Sequence, residues 1–442
     1  MSFVRAASVD RPVGLTYART MTPTPVRRLA RSLLLLGVAA CGGDTGETSD
    51  ASDATAGTSE ATAATTETTT GTGTGTGTDT GETTGATDMT TETGTDTTGV
   101  EYGDPFTLDL FAEAWLSSHT GTQNVWAGFD LGEGPYASVK LIADLESPCF
   151  PFDKWDDDPP PPGHNWPLDC DAFDRNFDFR VDLPETQCAA PEDVPCEPPA
   201  DASPGFELLR AITPFGGPMH LEEDITDWAN AHPGLHTMRG HISTWTDGAG
   251  QVSGAEGGWW LSTRIEVVPG PAPRDVIDVI PLYLSTFGKD TPQPEIPFTV
   301  AEGATEVEFR YITSGHGGGA VGAGCIGPAD EFCKRLHHVF FDGEQLSEFT
   351  PWRTDCTELC TIETHQWSMG GSIDYCAENP CGAVSSVRAP RANWCPGDYV
   401  YPFTGVVASL ATPGEHTFGF FIDNVADGGS WPTSAVVYVY GD

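Results

Sequence analysis

The chain has 442 residues, with 64 acidic side chains against 21 Lys and Arg and a formal net charge of −43. Nucleic-acid binding needs basic side chains that displace counterions from phosphates, so this balance argues against that class. The summed field also disfavours a polyanionic partner, and no apolar run reaches the roughly 18–20 residues that a membrane-spanning helix requires.

The charge is unevenly spread. Residues 1–41 hold six Arg and one Asp. Arg27, Arg28 and Arg31 precede the short apolar run 33–40, and Cys41 follows it. A basic segment, a short apolar segment and small residues before a cleavage point describe a secretory signal. Met21 is the start that gives it ordinary length. Val38-Ala39-Ala40-Cys41 is similar to a bacterial lipobox, so Cys41 is expected to be acylated, leaving an exported chain anchored by lipid to the outer membrane or cell surface. Residues 42–100 hold eleven acids, no base and the repeat Gly71-Thr72-Gly73-Thr74-Gly75-Thr76. Such a segment cannot bury enough apolar surface to offset its backbone entropy, and it reads as an extended, disordered tether.

From residue 101 onward the pattern is that of an all-β protein. Short runs with period-two alternation, separated by Gly and Pro, predict strands at 138–143, 176–183, 206–213, 259–268 and 276–284. Further strands are predicted where Val307, Phe309 and Tyr311 alternate with Glu306, Glu308 and Arg310, then at 338–341, around Phe418, Phe420 and Ile422, and around Val437 and Val439. Many short strands with Gly/Pro turns favour sandwiches or jelly rolls. Pro269-Gly270-Pro271-Ala272-Pro273 interrupts the pattern; since proline cannot donate to a ladder, it marks the expected boundary between domains at 101–269 and 276–442.

Twelve Cys are present, eleven without Cys41. In an exported chain close-spaced partners should bridge: Cys149 with Cys170, Cys188 with Cys196, and Cys325 with Cys333. Cys356, Cys360, Cys376, Cys381 and Cys395 form an odd set, Cys356 and Cys395 being candidates for a further bridge. Cys356-x3-Cys360 and Cys376-x4-Cys381 would also pass for zinc pairs, a use that an oxidising compartment disfavours.

A set of motifs is similar to the peptide-N-glycosidase F family. In the second half they are Thr313-Ser314-Gly315-His316-Gly317, Glu331-Phe332-Cys333, His337 followed by Val339-Phe340-Phe341, and Arg391-Ala392-Asn393-Trp394-Cys395-Pro396-Gly397. In the first half they are Cys170-Asp171-Ala172-Phe173-Asp174-Arg175, Ile212-Thr213-Pro214, the stretch around Asp224-Ile225-Thr226-Asp227, and Thr244-Trp245. Their order is kept across about three hundred residues. The resemblance implies two eight-stranded antiparallel jelly rolls side by side, with a cleft between them. It also implies a monomer that hydrolyses the amide joining an N-glycan to Asn in glycoproteins or glycopeptides, without metal or other cofactor. Asp174 then matches the principal catalytic carboxylate and Glu331 the second, from the other domain. Arg175, Arg391 and His316 match substrate-binding positions, Arg391 as a polar clamp, and Trp394 and Trp245 match aromatic platforms.

The chain departs from the family in places. Ser243 stands where the family is acidic, His316 where it has Trp, and Phe173 where Trp precedes the catalytic Asp. The acidic, Pro-rich insertion 150–169 offers a rival motif, Asp153-Lys154-Trp155-Asp156, but Asp156 runs into two more Asp and four Pro and reads as a solvated loop. These departures motivate an alternative, a non-catalytic surface lipoprotein that binds glycan or protein on the same fold. A second alternative, a copper monooxygenase, rests on His337-His338, without the later His-x-His pair that such a site needs. His316-Gly317-Gly318-Gly319 imitates a lipase oxyanion loop, but no Gly-x-Ser-x-Gly elbow accompanies it. Asp153–Asp158 matches no calcium-loop spacing.

Overall fold

The computed structural model describes residues 101–187, 195, 197–199, 202–320 and 322–442. Cys41, the tether 42–100 and the Cys188–Cys196 pairing lie outside the described residues. Among the described residues no helix is long and apolar enough to cross a membrane, and the few helices are short turns among twenty strands.

One sandwich faces a four-stranded antiparallel sheet, in the order Phe106–Leu116, Trp259–Pro269, Tyr136–Glu146 and Met219–Asp224, against a second sheet. The second sheet runs Asp398–Tyr399, Phe206–Ile212, Asn176–Val181, Leu235–Ile242 and Asn124–Asp130. Trp259–Pro269 shows why the sequence folds this way: Trp259, Leu261, Thr263, Ile265 and Val267 are buried while the residues between them are not, the period-two signature of a strand with one covered face. The core between the sheets holds Phe177, Phe179, Leu141, Trp228 and Met238.

The other sandwich pairs a sheet of Ile296–Val300, Gly414–Ile422, His337–Phe341 and Glu344–Phe349 with one built on the long last strand, Gly429–Tyr440. That strand is flanked by Val276–Gly288, Glu306–Thr313 and His316–Gly317, and Phe403–Val406 lies beyond Glu306–Thr313. Its core includes Phe309, Tyr311, Phe418, Phe420 and Val437. The all-β, paired jelly-roll architecture read from the sequence is therefore the one observed.

The junction between the sandwiches explains one strand that lacks alternation. Every residue of Phe206–Ile212 is buried, because one face meets its own core and the other meets the second sandwich. On that outer face Arg210 pairs with Glu207 at 2.6 Å and donates to the Pro432 carbonyl at 2.6 Å, while Ser434 Oγ donates to Glu207 at 2.7 Å. Asp398–Tyr399, from the second half, joins the edge of Phe206–Ile212 as an added strand. Ile212, Ile312, Trp394 and Val400 form a small apolar cluster at the same junction.

In the insertion 150–169 the run Asp156-Asp157-Asp158 is exposed, as expected, whereas Phe152, Trp155 and Trp166 are buried in a third cluster with Tyr375, Val387 and Phe215, flanked by Trp367 and Phe173. Aromatic residues supply large apolar area, and here they unite the insertion with the hairpin Ile362–Gln366 and Ser372–Cys376. Asp156 remains exposed and accepts a hydrogen bond from Ser368 at 2.7 Å. The bridges Cys149–Cys170 and Cys325–Cys333 are formed as expected, and Cys356–Cys395 and Cys360–Cys376 resolve the remaining set, so those sulfurs are not zinc ligands. Cys381 is buried beside Cys149–Cys170.

Candidate active site

Asp174 lies in the turn that leads into strand Asn176–Val181. The turn is fixed by its neighbours: Arg175 N donates to Thr213 Oγ1 and Thr213 N to the Arg175 carbonyl, both at 2.9 Å. The Arg175 guanidinium grips the fully buried Asp171, with Nη2 to Oδ1 at 2.6 Å, and donates to the Trp245 carbonyl at 2.8 Å. Trp245 itself is 52% exposed.

Glu331 comes from the other sandwich, in the single turn Asp330–Phe332 that the Cys325–Cys333 bridge closes. Its carbonyl accepts from Ala392 N at 2.8 Å, which ties the turn to the segment carrying Arg391. Arg391 is only 1% exposed. Its guanidinium lies between the rings of Phe332, 4.8 Å away, and Trp394, 4.6 Å away, and its Nη2 donates to the Ser386 carbonyl and hydroxyl at 3.0 and 3.1 Å. Nε and Nη1 of Arg391 are buried with no hydrogen-bond partner. Buried donors without partners are costly.

The electrostatics bring the two halves together. Burial first, and then the nearby Asp174 charge, raise the Glu331 carboxyl to about 7 against the opposing pull of Arg391. Burial also raises Asp174, while Arg391 and Arg175 pull it down. One guanidinium thus acts on both carboxyls, and the two carboxyls act on each other, which is what a shared cleft between sandwiches requires. Both acids keep some accessible surface. Asp174 has two guanidiniums and the Asp171 anion beside it, whereas Glu331 has one guanidinium and the Asp174 anion, and burial keeps both carboxyls above their ordinary range.

The other expected site residues divide. His316 stacks on Trp394 with centroids 5.3 Å apart, and its Nε2 shares a 2.8 Å hydrogen bond with Ser314 Oγ. Burial, with Arg210 and Arg391 adding repulsion, lowers it to about 3, so it stays neutral. Trp394 is a correction: at 2% exposure, with its indole N–H donating to the Gly315 carbonyl at 3.0 Å, it has no face for a sugar and instead supports Arg391 from beneath. Phe332 and Ser386, which hold the same guanidinium, were not anticipated; Phe332 adjoins Glu331 in the quoted motif, but Ser386 carries no sequence signal and is near only in space. Ser243 is half-buried, with Oγ donating to the Asn176 carbonyl at 3.4 Å.

The donor set for a metal does not assemble at His337-His338. His337 is buried against Tyr311, whose OH lies 3.0 Å from its Nδ1, whereas His338 stacks on Phe421 between Glu348 and Asp423. Among the described residues the one grouping of three potential ligand atoms is Cys149, Cys170 and Cys381, of which the first two share a disulfide.

Residues 283–440 match the family described as Peptide-N-glycosidase F, C terminal. No curated protein matches the chain. A solved structure of PNGF-II in a P21 crystal form is similar with a TM-score of 0.52 and 19% identity over 76% of this chain. The match spans 66% of that protein, a little under two thirds of its length. A peptide-N(4)-(N-acetyl-β-D-glucosaminyl)asparagine amidase has a TM-score of 0.52 and 15% identity, over 76% of this chain and 96% of its own. PNGase F, a glycosylasparaginase from Flavobacterium meningosepticum, has a TM-score of 0.51 and 17% identity, over 77% of this chain and 96% of its own. Identities of this size establish the shared fold.

Proposed function

Because residues 283–440 make this chain a member of the peptide-N-glycosidase F family, we propose that it hydrolyses the amide between an N-glycan and asparagine in glycoproteins or glycopeptides. The observation that carries the proposal is Arg391: a buried guanidinium with two unpartnered nitrogens, acting on carboxyls from both sandwiches.

In this scheme the Asp174 carboxylate takes a proton from a water that attacks the side-chain carbonyl carbon of asparagine. The carbonyl oxygen gains negative charge, and the buried Arg391 guanidinium, which acts on both carboxyls, offsets that charge through its field. The C–N bond then breaks as Glu331, still protonated, donates to the departing glycosylamine nitrogen, leaving aspartate in the peptide. Two carboxyls held at different protonation by their surroundings divide the base and acid roles. Arg175 and Trp245 form the rim, where the exposed indole offers an apolar face to a sugar ring. Lipid anchoring through Cys41 would hold this head at the surface of the cell, within reach of exposed glycoproteins.

The test is an incubation of the protein with an N-glycopeptide. Release of glycan with conversion of Asn to Asp is expected, together with a loss of about 10²–10⁴-fold for Asp174→Asn with the fold retained. A folded wild-type protein that releases nothing from several glycan types would contradict it.

A further inference from the structure

Each cleft carboxyl stands beside a buried aspartate that the chemistry above does not use. Asp171, three residues before Asp174, is fully buried. It accepts from Arg175 Nε and Nη2, from Ser253 Oγ at 3.2 Å and from the indole N–H of Trp259 at 3.3 Å. Asp330, directly before Glu331, is also fully buried. It accepts from Arg335 Nε at 3.1 Å and Nη2 at 2.5 Å, from Ala426 N at 3.2 Å and from the indole N–H of Trp431 at 3.2 Å. Trp259 opens the last strand of the first sandwich, and Trp431 lies near the start of the last strand of the second.

The likeness extends beyond these groups. At the far end of the following strand, Asp182 (φ 50°) receives Thr237 N at 3.0 Å and faces His236 Nδ1 at 2.7 Å. Asp342 (φ 52°) in the other sandwich receives Thr417 N at 2.9 Å and faces His416 Nδ1 at 2.8 Å. His236 and His416 each place Nε2 2.8 Å from the carbonyl four residues before, that of His232 and that of Thr412. The two halves repeat one pattern, and Asp171 and Asp330 are corresponding members of it.

We propose that Asp171 and Asp330 are twin positioning residues. Each is clamped by an arginine and by an indole from the last strand of its own sandwich, and each fixes the turn that aims the neighbouring cleft carboxyl, Asp174 or Glu331. Arg175 meets both oxygens of Asp171 as a fork, which sets direction as well as distance, and Arg335 reaches Asp330 Oδ1 with both Nε and Nη2; in each pair the charges cancel where burial would otherwise be prohibitive. Asp171 Oδ1 also accepts from Phe173 N at 3.4 Å, on the path to Asp174. Asp330 belongs to the same single turn as Glu331. Close approach is required at its other side: a Cβ on Gly429 would collide with Asp330 Oδ2. Reacting groups displaced by about 1 Å lose about 10²-fold in rate, so a rigid anchor for each carboxyl has a kinetic consequence.

The roles assigned to Asp174 and Glu331 come from the proposed function, so the test has two independent readouts. Trp431→Phe and Trp259→Phe each delete one indole N–H while keeping an aromatic ring, and Asp330→Asn is the stronger change. In glycopeptide hydrolysis, about tenfold lower kcat with KM nearly unchanged is expected for each Trp variant, and about 10²-fold for Asp330→Asn. In carboxyl-carbon NMR titrations, which need no activity, Trp431→Phe should displace the Glu331 midpoint and Trp259→Phe that of Asp174. The groups facing these carboxyls are Arg391, Arg175, Asp171 and each other. Folded variants with unmoved midpoints and wild-type kcat would overturn the proposal, as would kcat losses that follow melting temperature with the midpoints unmoved. A wild-type protein without hydrolysis would refute the function, and the titrations would still decide the positioning roles.

Discussion

At the residue scale, the informative group is Glu331. Its carboxyl is raised to about 7 by burial and by the Asp174 charge, so between the ordinary carboxyl value and about 7 the folded chain binds a proton that the unfolded chain has lost. Stability contributed by this site therefore falls as pH rises through that window. Glu331→Gln cannot ionise; it should be about 1–3 kcal/mol more stable than wild type at about pH 8 and nearly equal at about pH 4. Denaturant melts at both pH values measure this, and equal differences at both would contradict the assignment. The same variant should lose the decline of kcat above about pH 7 along with most of its activity. A site that holds two acids and an unpartnered arginine together is expected to carry such a stability cost.

Residue type foretold part of this site. Asp174, Glu331 and Arg391 stand in motifs whose order could be read along the chain, and the structure brings them into electrostatic contact. Trp394 stands in the same motif, yet it is buried and supports the guanidinium: a tryptophan's letter does not say which of its faces is covered. Phe332 and Ser386 meet Arg391 only through folding, and nothing in their spacing announces it.

At the scale of elements, strand Phe206–Ile212 connects the two cores. Removing Arg210 would leave the buried Glu207 with Ser434 and the more distant Arg180 at 3.5 Å. Arg210→Ala should cost about 3–5 kcal/mol, and a denaturation midpoint shifted by less than a third of that would show the pair to be dispensable. Strands with a single covered face were legible, as Trp259–Pro269 and Glu306–Thr313 show. Phe106–Leu116 was not, because two register shifts and the positive φ of Glu113 break its alternation. Leu235–Ile242 escaped as well: only Met238, Gly240 and Ile242 are buried, among His, Thr and Arg. The packing of the insertion 150–169 was not legible because its charges and prolines dominate the local composition, while the residues that fix it, Tyr375, Trp367 and Val387, are two hundred residues away in sequence.

At the scale of the whole molecule, residues 101–442 carry 52 acids against 15 bases. A field of that sign slows the approach of anionic substrates and is screened by salt. For a glycopeptide bearing sialic acids, kcat/KM should rise with ionic strength, while for the neutral glycan on the same peptide it should change little; equal salt dependence would remove the field from the account of specificity. The two sandwiches share a strand edge, an apolar cluster and the Arg210–Pro432 and Ser434–Glu207 hydrogen bonds.

The central claim is that carboxyls from both sandwiches act on one amide, with water as the nucleophile. The direct measurement is hydrolysis of an N-glycopeptide in ¹⁸O-labelled water, read by mass spectrometry. The expected result is a peptide in which Asn has become Asp carrying one ¹⁸O, with the whole glycan released and the reaction slowed about 10²–10⁴-fold in Asp174→Asn. A peptide recovered with intact Asn, or with a sugar still attached to it after cleavage between sugars, would contradict the claim.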